Sequence, residues 1–90
     1  MSVRVKVSSP LRIFTNWQEI VEVTGDTVGE CIMGLEAVFP GVRQWMYDKE
    51  GQLLPLLHFF VNGEEISVDE LATPVKDGGE LFVLFAIGGG

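Results

Sequence analysis

Hydrophobic and polar residues alternate with a period of two at the start of the chain and follow a helical period further on. Residues 3–7 read Val-Arg-Val-Lys-Val, which predicts a strand with one buried face. Residues 18–23 are rich in β-branched side chains and predict a second strand that returns antiparallel. Thr27 and Glu30 fit a capping box at the start of a helix, which Pro40-Gly41 ends. The apolar stripe of this predicted helix consists of Val28, Cys31, Ile32, Leu35, Val38 and Phe39.

The second half of the chain predicts three more strands. Residues 56–61 read as a buried strand, and Asn62-Gly63 is typical of a type I′ hairpin turn. The return strand, residues 64–68, carries charges that suit an exposed edge. Residues 81–85 are apolar on both faces, as expected of a central strand. The predicted fold class is α+β, with one main helix on a sheet of about five strands whose first and last members pair in the middle.

One face of this sheet must stay open, because a single helix can cover only one of them. The last strand offers Leu81, Val83 and Phe85 on one face and Phe82, Leu84 and Ala86 on the other. Exposed apolar patches usually mark binding surfaces. We therefore predict a partner-binding patch of Phe82, Leu84 and Phe60, and the choice of this face rests on the resemblance described below.

Composition and charge limit the classes of protein and partner. The 90 residues are 47% hydrophobic, enough for one domain over residues 1–86 followed by a flexible glycine tail at 87–90. The net charge is −7: residues 1–45 hold four basic and five acidic groups (−1), and residues 46–90 hold two and eight (−6). This sign repels phosphate backbones, so we expect no nucleic-acid partner. It suits a basic protein partner or serves solubility alone.

The compartment is predicted from three features of the sequence. The apolar segments are short and interrupted by charge, so none is long enough to span a membrane. The first six residues do not look like a secretory signal. The single cysteine, Cys31, is compatible with a reducing environment. We expect a cytoplasmic protein with no membrane partner.

The side chains that could take part in catalysis or metal binding do not form a recognisable motif in the sequence. Cys31 lies on the apolar stripe and is predicted to be a core residue. His58 has no nucleophile near it in sequence, and one histidine and one cysteine in different elements do not predict a metal site. The acidic pairs at 64–65 and 69–70 are predicted to form a solvated edge. Trp17 and Trp45 are predicted to be half-packed core residues.

The sequence ends on three glycines, Gly88 to Gly90, directly after an apolar run. A segment without Cβ atoms can enter a narrow channel, and the four residues 87–90 reach at most roughly 14 Å when extended. Such a segment could place its terminal carboxylate beside ATP for attack on the α-phosphate. The resulting acyl-adenylate would carry an unhindered carbonyl carbon, open to a sulfur nucleophile.

Five segments, in this order, form a pattern that covers nearly the whole chain. They are Pro-Leu-Arg at 10–12, Gly-Asp-Thr-Val at 25–28, Phe-Val-Asn-Gly-Glu-Glu at 60–65, Leu-Ala-Thr-Pro-Val-Lys-Asp-Gly at 71–78, and Gly-Gly at 89–90. In this pattern the chain resembles the ubiquitin-like sulfur carriers of β-grasp fold. That family includes the small subunit of molybdopterin synthase, the thiamine sulfur carrier and the carrier that delivers sulfide in a cysteine biosynthesis route.

The resemblance implies a role for the tail and for the patch. Gly90 would be adenylated by an E1-like enzyme that uses ATP and then converted to a thiocarboxylate, with Gly89 completing the motif. Gly88 departs from the family pattern, in which another small residue is common. Phe82 and Leu84 would meet the partner. The chain itself would be a sulfur donor with no bound cofactor, and its partners would be the adenylating enzyme and a sulfur-accepting synthase.

Several functions stay open on the sequence. The length and residues 47–57 look more like the molybdopterin and cysteine-pathway carriers than the thiamine type, and we predict molybdopterin biosynthesis first. The alternatives are a carrier for cysteine or thiamine biosynthesis, or a ubiquitin-like modifier joined to lysines through the same terminus. A plain interaction module using Phe82 and Leu84, an enzyme acting through His58 or Cys31, and an ordinary domain with an idle glycine terminus also remain.

Overall fold

The fold is a mixed five-stranded sheet packed on one main helix. It is seen in a computed structural model that describes residues 2–85, apart from the side chains of Ser9 and Pro10. The strands are β1 (Ser2–Val7), β2 (Ile20–Thr24), β3 (Leu57–Val61), β4 (Glu64–Ile66) and β5 (Gly79–Phe85). The helices are α1 (Val28–Val38) and the short α2 (Arg43–Met46), with 3-10 turns at Ser9–Phe14, Pro40–Val42 and Val68–Glu70.

The first and last strands lie side by side at the centre of the sheet, as predicted. The strand order is β2-β1-β5-β3-β4. β5 runs parallel to β1, with Val7 opposite Val83, and antiparallel to β3, with Leu57 opposite Phe85. β5 therefore has a hydrogen-bonded neighbour on each side, and its last described residue, Phe85, lies at one end of the sheet.

The start of α1 confirms the predicted helix boundary. The Oγ1 of Thr27 accepts a hydrogen bond from the Glu30 amide, 3.2 Å away. The Glu30 carboxylate reaches back to the amide of Asp26, at 2.9 Å, one residue before the position that a capping box usually uses. The Thr27 hydroxyl thus satisfies an amide of the first helical turn that has no partner within the helix, and the Glu30 carboxylate satisfies the amide of Asp26 just before the helix.

The apolar stripe of α1 is buried over most of its length. Val28, Cys31, Ile32 and Leu35 are at most 2% exposed. The prediction is wrong for Val38, which is 54% exposed, because the chain turns at Pro40 and the core position is taken by Val42, which is fully buried. The core lies between this stripe and the face of the sheet that carries Val3, Val5, Val7, Val21, Val23, Leu57, Phe59, Leu81, Val83 and Phe85.

The hairpin between β3 and β4 confirms the predicted turn. Asn62 and Gly63 have φ angles of 48° and 90°, as a type I′ turn requires. The predicted return strand at 64–68 is two residues too long. Ser67 ends β4 because its hydroxyl accepts from the Asp69 amide and begins a 3-10 turn. Among residues 2–85, the helices are too short to cross a membrane.

Candidate functional site

The face of the sheet that α1 leaves uncovered carries the predicted patch. We call it the open face. Phe60 and Phe82 lie opposite each other on β3 and β5, with ring centroids 6.1 Å apart. Leu84 lies one row further along β5, opposite His58. All four side chains are half-buried, and α1 lies on the opposite face of the sheet.

Charged side chains border this patch on both sides. In the row through the two phenylalanines, the residues that follow from β2 to β4 are Ile20, Lys6, Phe82, Phe60 and Glu65. The Nζ of Lys6 lies 5.7 Å from the Phe82 ring centroid and 3.8 Å from a carboxylate oxygen of Glu19. An apolar centre with a charged rim is the usual composition of a protein–protein interface.

His58 lies at the β4 side of the patch and has a fixed partner. Its Nδ1 is 2.8 Å from Oε2 of Glu65. His58 is thus a partly exposed histidine with a hydrogen-bond partner on the neighbouring strand. Glu64, Glu65, Asp69 and Glu70 are all exposed, as predicted for a solvated edge.

The polarity of the open face changes along β5. Glu80 lies opposite Arg4 at the beginning of the strand, Phe82 follows, and Leu84 comes last. The apolar part of the face is therefore the part next to Phe85, where the described chain ends. The predicted reactive residues, Gly88, Gly89 and Gly90, lie outside the described residues.

The last described residues of β5 are held by the side chain of Ser8, which sequence analysis did not single out. The Ser8 amide donates to the carbonyl of Val83, at 3.0 Å, which continues the ladder between β1 and β5. The Oγ of Ser8 then accepts from the Phe85 amide at 2.9 Å, in a buried position. The sequence Ser8-Ser9-Pro10 indicates only a turn, and the role of Ser8 depends on a residue that comes 77 positions later.

The remaining candidates for side-chain chemistry are placed away from this face. Cys31 is fully buried on α1, and its burial, with the nearby Glu30 carboxylate, raises the pKa of the thiol above its ordinary value. The thiol therefore stays protonated at neutral pH, which confirms a core role. No cluster of His, Cys, Asp or Glu within residues 2–85 could hold a metal ion.

The two tryptophans differ from each other. Trp45 is 43% exposed and packs on Phe85 and Phe14, as predicted for a half-packed residue. The same prediction is wrong for Trp17, which is 70% exposed. Trp17 has a φ of 64°, and its amide bonds the carbonyl of Arg12 at 2.8 Å, so the turn directs the ring away from the core.

Comparison with known proteins identifies the family. The sequence model of the ThiS family matches residues 5–90. This chain belongs to the ThiS family. The sulfur carrier protein CysO of Mycobacterium tuberculosis (strain ATCC 25618 / H37Rv) is 34% identical over 93 residues, and the match covers 100% of both chains. The protein is accordingly a sulfur carrier of the ThiS and CysO type, and it acts as a sulfur donor and not as a catalyst.

Solved structures agree with this assignment. A chain of the Amycolatopsis orientalis BexX/CysO complex is 32% identical, with a TM-score of 0.85 and coverage of 98% of this chain and 99% of that one. SAMP1 from Haloferax volcanii has a TM-score of 0.87 over 100% of both chains, and at 24% identity it shows the fold alone. The fold is the ubiquitin-like β-grasp fold, as the resemblance implied.

The comparisons change the predicted order of pathways. Molybdopterin biosynthesis, which we predicted first, gains no support from the relatives above. The relatives that exceed 30% identity are CysO proteins, which fit the predicted alternative better.

Proposed function

We propose that this protein carries sulfur as a thiocarboxylate on Gly90 for the biosynthesis of cysteine. The observation that carries the proposal is the 34% identity with CysO over the full length of both chains. The match includes the end of the sequence, since the family model extends to residue 90. In the cysteine route the carrier supplies the sulfur, and a separate enzyme accepts it.

The proposed chemistry has two steps. An oxygen of the Gly90 carboxylate attacks the α-phosphorus of ATP in an E1-like enzyme, and diphosphate leaves. Hydrosulfide (HS⁻) from the sulfur donor then attacks the carbonyl carbon of the acyl-adenylate, and AMP leaves, so that one carboxyl oxygen is replaced by sulfur without an oxidant or reductant. Glycine suits both steps because it has no side chain beside the reacting carbon.

The open face is the proposed docking site for the enzymes that act on Gly90. Phe82, Leu84 and Phe60 supply apolar area next to the end of β5, and Lys6 and Glu65 supply charges that orient a partner. A relative was solved in the BexX/CysO complex, which supports the proposal that carriers of this type form complexes. The proposal also assigns the protein to the cytoplasm, where the activating enzyme finds ATP.

The first experiment measures the intact mass of the protein after incubation with ATP, an E1-like activating enzyme and a sulfur donor. We expect a mass increase equal to the replacement of one oxygen by sulfur. A variant that lacks both Gly89 and Gly90 should show no increase, and Gly88→Ala is the matched control that should still show one. An unchanged mass of the full-length chain with an enzyme that activates M. tuberculosis CysO would contradict the carrier function.

A second measurement addresses the pathway. The thiocarboxylate is prepared with radiolabelled sulfur and added to an extract of the cells that make the protein. Label in free cysteine supports the proposal. Label that appears in the dithiolene of molybdopterin, and not in cysteine, would restore the pathway that the sequence suggested first.

A further inference from the structure

Exposed large hydrophobic side chains are concentrated at one end of the sheet. Eight large hydrophobic side chains are exposed within residues 2–85, and five of them lie at the end of the sheet near Phe85. These five are Ile13, Trp17, Ile20, Trp45 and Leu56. Surface apolar residues scattered singly need no explanation, but a group of them beside one strand end indicates an interaction surface.

Trp45 differs from the others because its ring is already held in place. Its centroid lies 6.0 Å from that of Phe85, in an edge-to-face arrangement, and 5.6 Å from that of Phe14. Phe85 points to the core side of the sheet and is only 6% exposed. Trp45 therefore lies beside the last described residue of β5, on the side opposite Leu84.

A half-exposed tryptophan whose ring is fixed by neighbouring aromatic rings is suited to binding a partner protein. Trp is among the residues that most often dominate interface energetics. A side chain whose rotamer is fixed before binding loses less conformational entropy on binding. Trp17 is more exposed, but the ring contacts that hold Trp45 are specific to Trp45.

The distance to the proposed reactive carboxylate limits where a partner can be. Residues 86–90 are five residues, which span at most about 18 Å when extended. An enzyme that encloses the Gly90 carboxylate must bring its surface close to the end of β5. Leu84 and Trp45 lie on opposite faces of the sheet beside Phe85. The enzyme surface around the opening that receives the C-terminal residues can therefore contact both side chains.

We propose that Trp45 is a second contact site for the enzyme that adenylates Gly90, separate from the open face. Trp45 would contact the apolar rim of the channel in the adenylating enzyme that receives the C-terminal residues of the carrier. The proposal rests on the proposed function, because it takes Gly90 as the residue that is activated. It predicts that the enzyme holds the carrier on both sides of β5.

The test uses the full-length protein labelled with 5-fluorotryptophan, which gives two fluorine resonances. The variants Trp17→Phe and Trp45→Phe assign them. On addition of the E1-like enzyme that produces the mass change described above, the Trp45 resonance should shift or broaden. Albumin at the same concentration is the control and should leave both resonances unchanged.

A kinetic measurement provides an independent readout. Trp45→Ala should raise the KM for adenylation about tenfold and leave kcat unchanged, as expected for a residue that contributes to binding alone. Met33→Ala is the matched control, because Met33 is 68% exposed on α1 and belongs to neither contact site. Its KM should equal that of the wild-type protein.

Three results would overturn the proposal. One is an unchanged Trp45 resonance under conditions in which the enzyme still converts Gly90. Another is an unchanged KM for Trp45→Ala. The third is a Trp45 resonance that shifts with the concentration of the carrier alone, which would assign the surface to a second copy of this chain. In each case the mass change of the wild-type protein shows that the proposed function itself stands.

Discussion

At the scale of single residues, Ser8 ties the last described residues of β5 to the chain that follows β1. Its backbone amide bonds Val83, and its hydroxyl bonds the Phe85 amide at 2.9 Å. The hydroxyl does what a backbone carbonyl would do if β1 continued, although the chain turns away after Ser8 into a 3-10 turn. Phe85, the last described residue of β5, is thereby held in place by a side chain as well as by its strand neighbours.

We expect Ser8→Ala to cost about 1–3 kcal/mol of unfolding free energy, because the Phe85 amide loses its acceptor in a buried position. Amide hydrogen exchange at Phe85 should become faster, while the strands that flank it stay protected. Ser67→Ala is the control, since it removes an exposed capping hydroxyl and should not change exchange at Phe85. Equal protection of Phe85 in wild type and Ser8→Ala would show that the hydroxyl does not hold the strand end.

At the scale of elements, the position of α1 on the sheet depends on a close contact with β2. A Cβ added at Gly34 would lie 3.1 Å from the Cβ of Val23 and 3.6 Å from the carbonyl oxygen of Thr24. A Cβ at Gly29 would meet Leu71 at 3.4 Å, an ordinary contact. Gly34 therefore lets the helix approach the strand, whereas Gly29 has no such packing requirement.

This difference predicts opposite effects for the same substitution. Gly34→Ala should lower the unfolding free energy, since overpacking costs about 1–3 kcal/mol and exceeds the gain of about 1 kcal/mol in helix propensity. Gly29→Ala should leave stability unchanged or raise it by up to about 1 kcal/mol. Urea unfolding of both variants measures this. A more stable Gly34→Ala protein would mean that α1 can lift from the sheet without cost.

The elements that the sequence predicted are those with a periodic hydrophobic pattern or a local signal at their boundary. Alternation marked β1, the capping residues Thr27 and Glu30 marked α1, and Asn62-Gly63 marked the hairpin. The open face followed because one helix cannot cover both sides of β5. These features are local, or follow from one global constraint.

The features that sequence analysis missed depend on contacts between distant residues or on turns without a period. The 3-10 turn at Ser9–Phe14 is too short for a periodic signal. The exposure of Trp17 follows from buried Thr15, whose hydroxyl bonds the carbonyls of Arg12 and Gln18. No residue type in that stretch predicts that the backbone of Trp17 adopts a left-handed conformation. The role of Ser8 likewise requires knowledge of the pairing between β1 and β5.

At the scale of the whole molecule, the two ends of the described chain support each other. The Ser2 amide bonds the Asp77 carboxylate at 2.8 Å, and the Ser2 carbonyl accepts from Gly78 at 2.7 Å. The beginning of β1 and the approach to β5 are thus joined at one end of the sheet, as Ser8 and Phe85 are at the other. We expect the fold to unfold as one unit, so titration of any group inside it affects the stability of the whole molecule.

Two titratable groups, Cys31 and Tyr47, predict that the folded protein loses stability at alkaline pH. Burial raises the pKa of the Cys31 thiol, and burial together with a hydrogen bond to Glu36 raises the pKa of Tyr47 well above its ordinary value. An acid whose pKa is higher in the folded state keeps its proton while the unfolded chain loses it. Its contribution to stability is therefore complete below the unfolded pKa and is lost as the pH rises.

The melting temperature should thus fall as the pH increases beyond about 9, and Tyr47→Phe should make the fall smaller. The phenylalanine keeps a ring beside Arg43, whose guanidinium carbon lies 5.7 Å from the Tyr47 centroid. At neutral pH the variant should be less stable by about 1 kcal/mol, because the hydrogen bond to Glu36 is lost. The two proteins differ only at residue 47, so the difference between their melting curves isolates Tyr47. Parallel curves throughout the alkaline range would show that the phenol does not couple to folding.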